Sequence, residues 1–421
     1  MELIVKDYLK SHTLRELEEE HGVNSRPNLA MDKVSLNYDM ITVKNDDALA
    51  AQCRGLVIRI DPALTKKMLH DVEKQIDVPK ARWRDRVIGD IEVLAWPMNR
   101  FFNHGDSFGA VIDWSDPGLR VYEKLDGTMI VAYWDPLYMR WFTATRSVPE
   151  ADLPINKDSM ELGSTTFSDL FFQALRATRE ANSGVSIDWA VAGIDKIVHL
   201  NKELTYVFEL TTPYNRVVVK YDEPRVTLLA ARHTLSGKEI AIETLRLEHV
   251  QRPKTWPLRS ASAIDAFVNA ADPAQLEGAV VVDSHFNRLK VKNKAWVLSS
   301  KAKDMVTTSR RSALESIILG TIDDVYPLIA KDIAEMLQKM ASDFSEYIVK
   351  VDKNFIEWRN LANGSRKEFA MKVMDSGDWT APYFNLWENR AESASQWIQN
   401  MAKANKLSTT SLDTILKKIG Q

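Results

Sequence analysis

The chain has one cysteine, Cys53, no apolar run long enough to span a bilayer, and almost no charge imbalance: 55 Lys and Arg against 58 Asp and Glu, a formal net charge of −3. A single cysteine excludes an internal disulfide and fits a reducing compartment. Without an apolar run of about 18 residues, a membrane-spanning helix is not expected. The opening MELIVKDYLKSHTLREL has no signal-peptide core, so a soluble, cytoplasmic protein is expected. Near-neutrality means that a nucleic-acid partner would have to be held by local basic patches, not by the overall field. The eight histidines form no H-x-x-H or Cys/His cluster, which argues against zinc chemistry. There is also no G-x-x-x-x-G-K-[ST] loop, and so no fused P-loop kinase is expected.

What is present is ordinary in bulk and uneven along the chain. The 421 residues are 45% hydrophobic and 27% charged, enough for two or three domains with a sizeable core. Strand-like runs crowd the first part: GLVIRI (55–60), IEVLAW (91–96), TMIVAYW, MRWFTATR, LTYVFELTT, RVVVKY, RVTLLAA, GAVVVD and RLKVKN. Helices are predicted over Leu64–Ile76, Thr166–Ala181 and Trp189–Leu200. Near residue 300 the texture changes. Ile348, Val351, Phe355, Trp358 and Leu361 recur at spacings of three and four, one apolar face of a helix. Ser411 is predicted to open another, with Leu412, Ile415, Leu416 and Ile419 as its stripe, while LANGS and DSGDW supply stops. A mixed α/β domain over about 1–300 and an all-helical domain over about 301–421 are therefore expected. The helical part is neutral, with 15 basic and 15 acidic residues from Met305 onward.

The strand-like run VYEKLDGTMIVAYW breaks for one lysine, one aspartate and one glycine, then resumes. K-x-D-G alone carries little weight, because such a tetrad arises by chance in roughly one chain in ten of this length. Its company carries more. FELTTP puts Glu209 inside a strand, LEGAVVVD puts Glu277 just before another, and RLKVKNKAWV puts Lys290 and Lys292 on one strand face. That order resembles the covalent nucleotidyltransferases, the polynucleotide ligases and capping enzymes. QCRGLVIRI, WPMNRFFNHGD, FELTTPYNRVVVKYDE and LLAAR sharpen the resemblance to the bacteriophage RNA ligase 1 family of tRNA-repair ligases, over roughly Asn37 to Trp296. The helical part resembles the family in size and composition only. The fold implied is α+β: a nucleotidyltransferase domain with antiparallel sheets and flanking helices, followed by an all-helical C-terminal domain.

The chemistry implied by the resemblance calls for these residue types. A lysine amine attacks the α-phosphate of ATP, releases pyrophosphate and carries AMP as a phosphoramidate, dividing one difficult step into easier ones. By resemblance Lys124 is that nucleophile, in a turn shaped by Asp126 and Gly127, the glycine permitting close backbone approach. Lys290 and Lys292 would face the α-phosphate, offsetting charge that develops in phosphoryl transfer and helping keep Lys124 neutral. Glu277 corresponds to the family's metal-associated carboxylate, for Mg²⁺ or Mn²⁺, and Glu209 to a contact with the ribose or a metal-bound water. Arg54 would contact the ATP phosphates. Arg100 and Arg146 stand where the family carries lysine, which keeps the charge but exchanges a point cation for a planar fork. Tyr38 is a candidate nucleotide contact. Phe102 could stack or pack, and Trp296 reads first as a packing residue. Each has a plainer alternative: a solvated KVKNK face, edge-strand glutamates paired with arginine, or an ordinary surface arginine at 54. A carboxylate between the apolar neighbours of YVFEL is nonetheless costly without a partner or a task. Asp323 and Asp324 read as charges near a helix N-terminus. Thr65–Arg86 resembles an insertion whose Lys80, Arg82, Arg84 and Arg86 could follow RNA phosphates; a solvated basic loop is the plainer reading.

The function these residues imply is ATP-dependent joining of RNA 5′-phosphate and 3′-hydroxyl ends, at single-stranded ends or a cleaved tRNA anticodon loop. DNA ligation and GTP-dependent capping share the chemistry, but those families usually follow K-x-K with a β-barrel, whereas the residues after Trp296 read helical. A nucleic-acid-binding module without catalysis requires every motif residue to be structural.

Overall fold

The run TMIVAYW is apolar at successive positions, not alternate ones, and the structure explains why. Ile130 and Ala132 enter one core while Val131 and Tyr133 enter another, so this strand is covered on both faces. The computed structural model describes residues 2–420 apart from 67–81, 153–165, 184–193, 195–197, 215, 248–249, 308, 323–324 and 327–328. The chain divides into two units: residues 1–270 with 276–292, and residues 271–275 with 293–421.

The first unit holds thirteen strands among the described residues: β1 Val23–Asn28, β2 Lys33–Tyr38, β3 Arg54–Arg59, β4 Glu92–Ala95, β5 Phe102–Asn103, β6 Arg120–Lys124, β7 Thr128–Asp135, β8 Arg140–Thr145, β9 Leu204–Thr211, β10 Arg225–His233, β11 Glu239–Ile240, β12 Gly278–Val282 and β13 Arg288–Lys292. They form three sheets, ordered β1-β2-β3-β4, β11-β10-β9-β7-β8 and β5-β13-β12-β6. All pairs are antiparallel except β5 with β13.

Two of the sheets turn one face to a core and the other toward the site. On β6, β12 and β13, Val121, Ala279, Val281, Leu289 and Val291 pack with Ile264 and Val268 of the helix Ala261–Ala270. The alternate residues, Tyr122, Lys124, Gly278, Val280, Arg288, Lys290 and Lys292, must then share the opposite face. On β9, Tyr206, Phe208 and Leu210 enter the large core with Phe171 of the helix Phe167–Ser183, while Val207 packs with Met98 and Ala230 on the other side. Glu209 lies two residues from Val207 and so faces that side as well.

The second unit is helical among its described residues. Its longest helix, Lys331–Leu361, buries Ile333, Leu337, Met340, Tyr347, Ile348 and Val351 along one face. The predicted stripe fades at its end, where Leu361 is exposed. The last helix runs Thr409–Lys418, two residues earlier than predicted, because Ser408 caps it by accepting from Ser411 N at 3.2 Å. The helical unit begins with Lys294–Thr307, ahead of the change of texture near residue 300. Trp296 is buried there. No described helix is long and apolar enough to cross a membrane.

One predicted strand is not a strand. RVVVKY, residues 216–221, is irregular where described, because the amides of Val218 and Val219 both donate, at 2.8 Å each, to Oδ2 of Asp126. A side chain has taken the donors that a ladder would use. β1 and β2, by contrast, escaped prediction: VNSRPN and KVSLNY carry too few apolar residues. The predicted helix at Leu64–Ile76 is described only to residue 66, and that at Trp189–Leu200 lies largely outside the described residues, as do Asp323, Asp324 and Lys80. Arg84 donates to Glu18 at 3.4 Å and to the carbonyl of Ser25 at 3.0 Å, so it is engaged within the protein.

Candidate active site

Strand register assembles the site. Gly278 of β12 lies opposite Lys124 of β6 on one side and Lys292 of β13 on the other. The residue before it, Glu277, therefore sits between the two lysines. Its Oε2 lies 2.7 Å from Lys124 Nζ and its Oε1 lies 3.1 Å from Lys292 Nζ. Only 3% of the carboxylate side chain is exposed, against 22% and 30% for the two lysines, so the acid is enclosed and the amines reach open space. Glycine at 278 is obligatory for this packing: a Cβ there would stand 2.2 Å from the carbonyl oxygen of Val291.

The K-L-D-G turn is fixed from β9 and its following segment. A Cβ on Gly127 would meet the Leu210 carbonyl oxygen at 2.4 Å. Gly127 N donates to Glu209 Oε1 at 3.1 Å, and Asp126 N donates to the Tyr221 hydroxyl at 3.1 Å. Asp126, nearly buried, spends its carboxylate on the amides of Val218 and Val219. The turn thus holds Lys124 at the mouth of a cavity of about 280 Å³.

That cavity gathers most of the residues singled out in the sequence. Tyr38, Arg54, Lys124, Arg146, Glu209, Lys290 and Lys292 line it. Arg100 does not line it directly. Its guanidinium carbon lies 4.9 Å from the Tyr38 ring centroid and 4.6 Å from that of Phe102, and an Nη donates to Asn45 Oδ1 at 2.7 Å. Arg146 is 5.7 Å from the same tyrosine ring, which places Tyr38 within reach of two guanidiniums. Cys53, adjacent to Arg54, is fully buried and burial pushes its thiol pKa up, so it is a packing residue. Sequence reasoning missed Met98, Phe101, Tyr122 and Arg288, which also line the cavity. The alternation in RLKVK contained a signal for Arg288, two residues before Lys290 on the same face.

The electrostatics suit an anion. Burial lowers the Lys290 pKa to about 8, and the nearby cations Lys292, Lys124 and Arg54 push in the same direction. Such crowding is relieved when phosphate enters. Burial raises the Glu209 carboxyl to about 7, opposed by Lys124 and Arg54 and reinforced by Glu277 and Asp126. Arg54 has its Nη1 buried without a hydrogen-bond partner while the residue lines the cavity. A buried, orphaned guanidinium donor is costly and fits a missing phosphate oxygen. No group of three or more His, Cys, Asp or Glu that could hold a metal occurs among the described residues. The neighbouring carboxylates of Glu209 and Glu277 still fit Mg²⁺ or Mn²⁺, which need only one or two protein carboxylates beside phosphate oxygens and water.

No family model matches the chain. It is 21% identical over 348 residues to an RNA ligase of Rhodothermus phage RM378, covering 68% of this chain and 76% of that one. Its sequence is thus similar to that of a phage RNA ligase. It is also 24% identical, over 70% of its length, to an Autographa californica nuclear polyhedrosis virus protein named as a bifunctional polynucleotide kinase/RNA ligase, of which it spans 37%. Among solved structures, it is similar to an archaeal ATP-dependent RNA ligase at 12% identity, covering 89% of this chain and 82% of that one, with a TM-score of 0.37. In this chain the K-x-D-G lysine, Glu209 and the K-x-K pair line one cavity, and Glu277 lies behind it, paired with Lys124 and Lys292.

Proposed function

We propose that the protein is an ATP-dependent RNA ligase that works through a lysyl-AMP intermediate on Lys124. The observation that carries this reading is the placement of the Lys124 amine beside Glu277 and Lys292 at a cavity with Lys290 and an unpartnered Arg54 donor. Lys124 Nζ, open to solvent, releases a proton to water and attacks the α-phosphorus of ATP. An N–P bond forms, the bond to the β-phosphate oxygen breaks, and pyrophosphate leaves. Lys290 and Lys292 balance charge that builds on the phosphoryl oxygens, and Arg54 supplies the donor for one of them. A 5′-phosphate oxygen of RNA then displaces Lys124, taking the AMP. Finally a 3′-hydroxyl attacks that 5′-phosphorus, the strands join and AMP leaves. Glu277 and Glu209 would hold Mg²⁺ or Mn²⁺, which supplies charge neutralisation at the phosphates when bound.

Intact-mass measurement after incubation with ATP and Mg²⁺ tests the first step. Addition of one AMP is expected, removable by pyrophosphate and missing from Lys124→Ala. Labelling by GTP alone would point to a capping-type enzyme, and sealing of nicked DNA but not RNA to a DNA ligase. A label retained by Lys124→Ala would sink the nucleophile assignment.

The natural substrate we propose is RNA with single-stranded ends, in particular a cleaved tRNA anticodon loop, with the helical unit from Asn293 onward selecting it. Removing the residues after about 305 should spare adenylate formation and reduce sealing of nicked tRNA more than sealing of a short linear strand. Equal loss on both substrates would count against selection by the helical unit.

A further inference from the structure

A cavity of about 450 Å³ lies in the first unit and shares no lining residue with the adenylylation cavity. Three stretches of chain nevertheless run from one to the other. β9 carries Glu209 at the first, and Lys202 and Glu203, just before its start, line the second. β10 places Leu229 at the first and His233 at the second, while Val93 and Leu94 of β4 line the second ahead of Met98 at the first. At the rise of a strand, the stretch from Lys202 to Glu209 sets the two roughly 20 Å apart. The largest side chain on the new wall is Trp134, near the end of β7. Its indole is half-buried, packs at the edge of the large core and meets Trp141 edge-on, with ring centroids 5.9 Å apart. Lys202 Nζ stands 3.8 Å from the Trp134 centroid, at the end of an exposed side chain. A large ring anchored by Trp141 and covered by a flexible ammonium stem offers a face for stacking.

An unpaired nucleotide matches this pair of groups. Its base is a planar ring for Trp134, and its phosphate is an anion for Lys202, which can swing from ring to phosphate without leaving the rim. The rest of the wall suits a base edge. The His233 imidazole and the Ser236 hydroxyl line the same cavity. Of its two acids, Glu92 is engaged by Arg59 at 2.8 Å, whereas Glu203 is exposed and can accept from an exocyclic amine such as N4 of cytosine. The volume falls within the range of small-ligand sites. We propose that this cavity binds an unpaired base of the RNA strand, stacked on Trp134 with its phosphate at Lys202, at the far end of the strands that carry the joining site; this rests on the ligase reading above. A free nucleotide carries the same base and phosphate and is the other source of that chemistry.

Anisotropy titration with labelled single-stranded oligo(C) of about 16 nucleotides reads the site without turnover. Trp134→Ala and Lys202→Glu should each weaken binding by about tenfold. Lys202→Glu alters an exposed side chain, so it decides the matter alone if Trp134→Ala loosens the core and lowers the unfolding midpoint. Lys6→Glu, at an exposed lysine that does not line the cavity, controls for net charge and should leave the affinity as it is. Competition with CMP separates the sources. CMP that displaces oligo(C) only at concentrations far above that of the oligonucleotide assigns the site to the strand, and CMP as effective as oligo(C) assigns it to a free nucleotide. Should wild type form no adenylate with ATP, the ligase reading fails, while the titration still decides whether the cavity takes RNA. Unchanged affinity in Lys202→Glu or in a folded Trp134→Ala, or an equal loss in Lys6→Glu, overturns the inference.

Discussion

Two carboxylates in the first unit each sit between two cations, and they differ in what lies above the cations. Asp135 is paired with Lys33 Nζ at 3.1 Å and with Arg59, and the exposures of Asp135, Lys33 and Arg59 are 0%, 0% and 7%. Phe142 closes over Lys33, its ring centroid 3.0 Å from Nζ, with Tyr138 at 5.3 Å. Glu277 is equally enclosed, but its two lysines open onto a cavity that holds further cations. The closed cluster has two further acids, Glu150 at 3.6 Å from Lys33 Nζ and Glu92 at 2.8 Å from Arg59 Nε. The closed cluster ties β2, β3 and β7 together beneath aromatic rings, whereas the lysines of the open cluster line a cavity. What singles out an ion-paired lysine as a candidate site residue is thus the open volume beside it, not the pairing itself.

Exchanging the acids breaks the comparison most sharply. Asp135→Ala should cost about 3–5 kcal/mol in denaturant unfolding, because it removes the acid shared by two enclosed cations and leaves Lys33 with Glu150 at 3.6 Å and Arg59 with the half-exposed Glu92 at 2.8 Å. Glu277→Gln should cost much less stability, since its lysines can turn to water, yet leave no AMP adduct by intact mass. Similar stability losses in both variants would dissolve the distinction. Next in size is backbone approach. Gly278→Ala drives a methyl group into the Val291 carbonyl and should cost about 1–3 kcal/mol while separating Lys124 from Lys292. A Gly278→Ala protein that keeps wild-type unfolding and adenylylation would mean the register is slack.

The smallest effects are in pH. The Glu209 carboxyl is raised to about 7, so its contribution to stability is present below the unfolded carboxylate range and is lost as pH rises through about 7. Glu209→Gln should therefore gain on wild type in denaturant midpoint between pH 5 and pH 8. Lys290, lowered to about 8, has the opposite sense: its contribution is present above the unfolded lysine range and is lost as pH falls through about 8. Lys290→Met should lose its stability advantage over wild type as pH is raised toward 10. A flat difference for either pair across its window would show that the crowding is relieved by water.

The open cluster was largely legible in the sequence, and the closed one was not. Glu209, Glu277, Lys290 and Lys292 could be read because strand periodicity fixes which residues share a face, and the motif order supplied the strands. Lys33 and Asp135 could not, because nothing local tells that a lysine in KVSLNY is enclosed beneath Phe142. The same limit hid Glu239, whose two arginine partners come from β10 and β13. RVVVKY misled because its apolar run was read as a ladder, when Asp126 had captured its amides from 92 and 93 residues away. Local patterns give faces, and only the assembled chain gives partners.

The opposition of Lys124, Gly278 and Lys292 across three neighbouring strands constrains how this gene can change length. One residue inserted within β12 would swing Val280 and its row to the helix side and carry the acid away from both amines. The connection from Ser284 to Asn287 is outside the ladder, so an insertion there leaves the alignment as it is. Tolerated indels should accordingly cluster in that hairpin tip and be purged from the strands on either side.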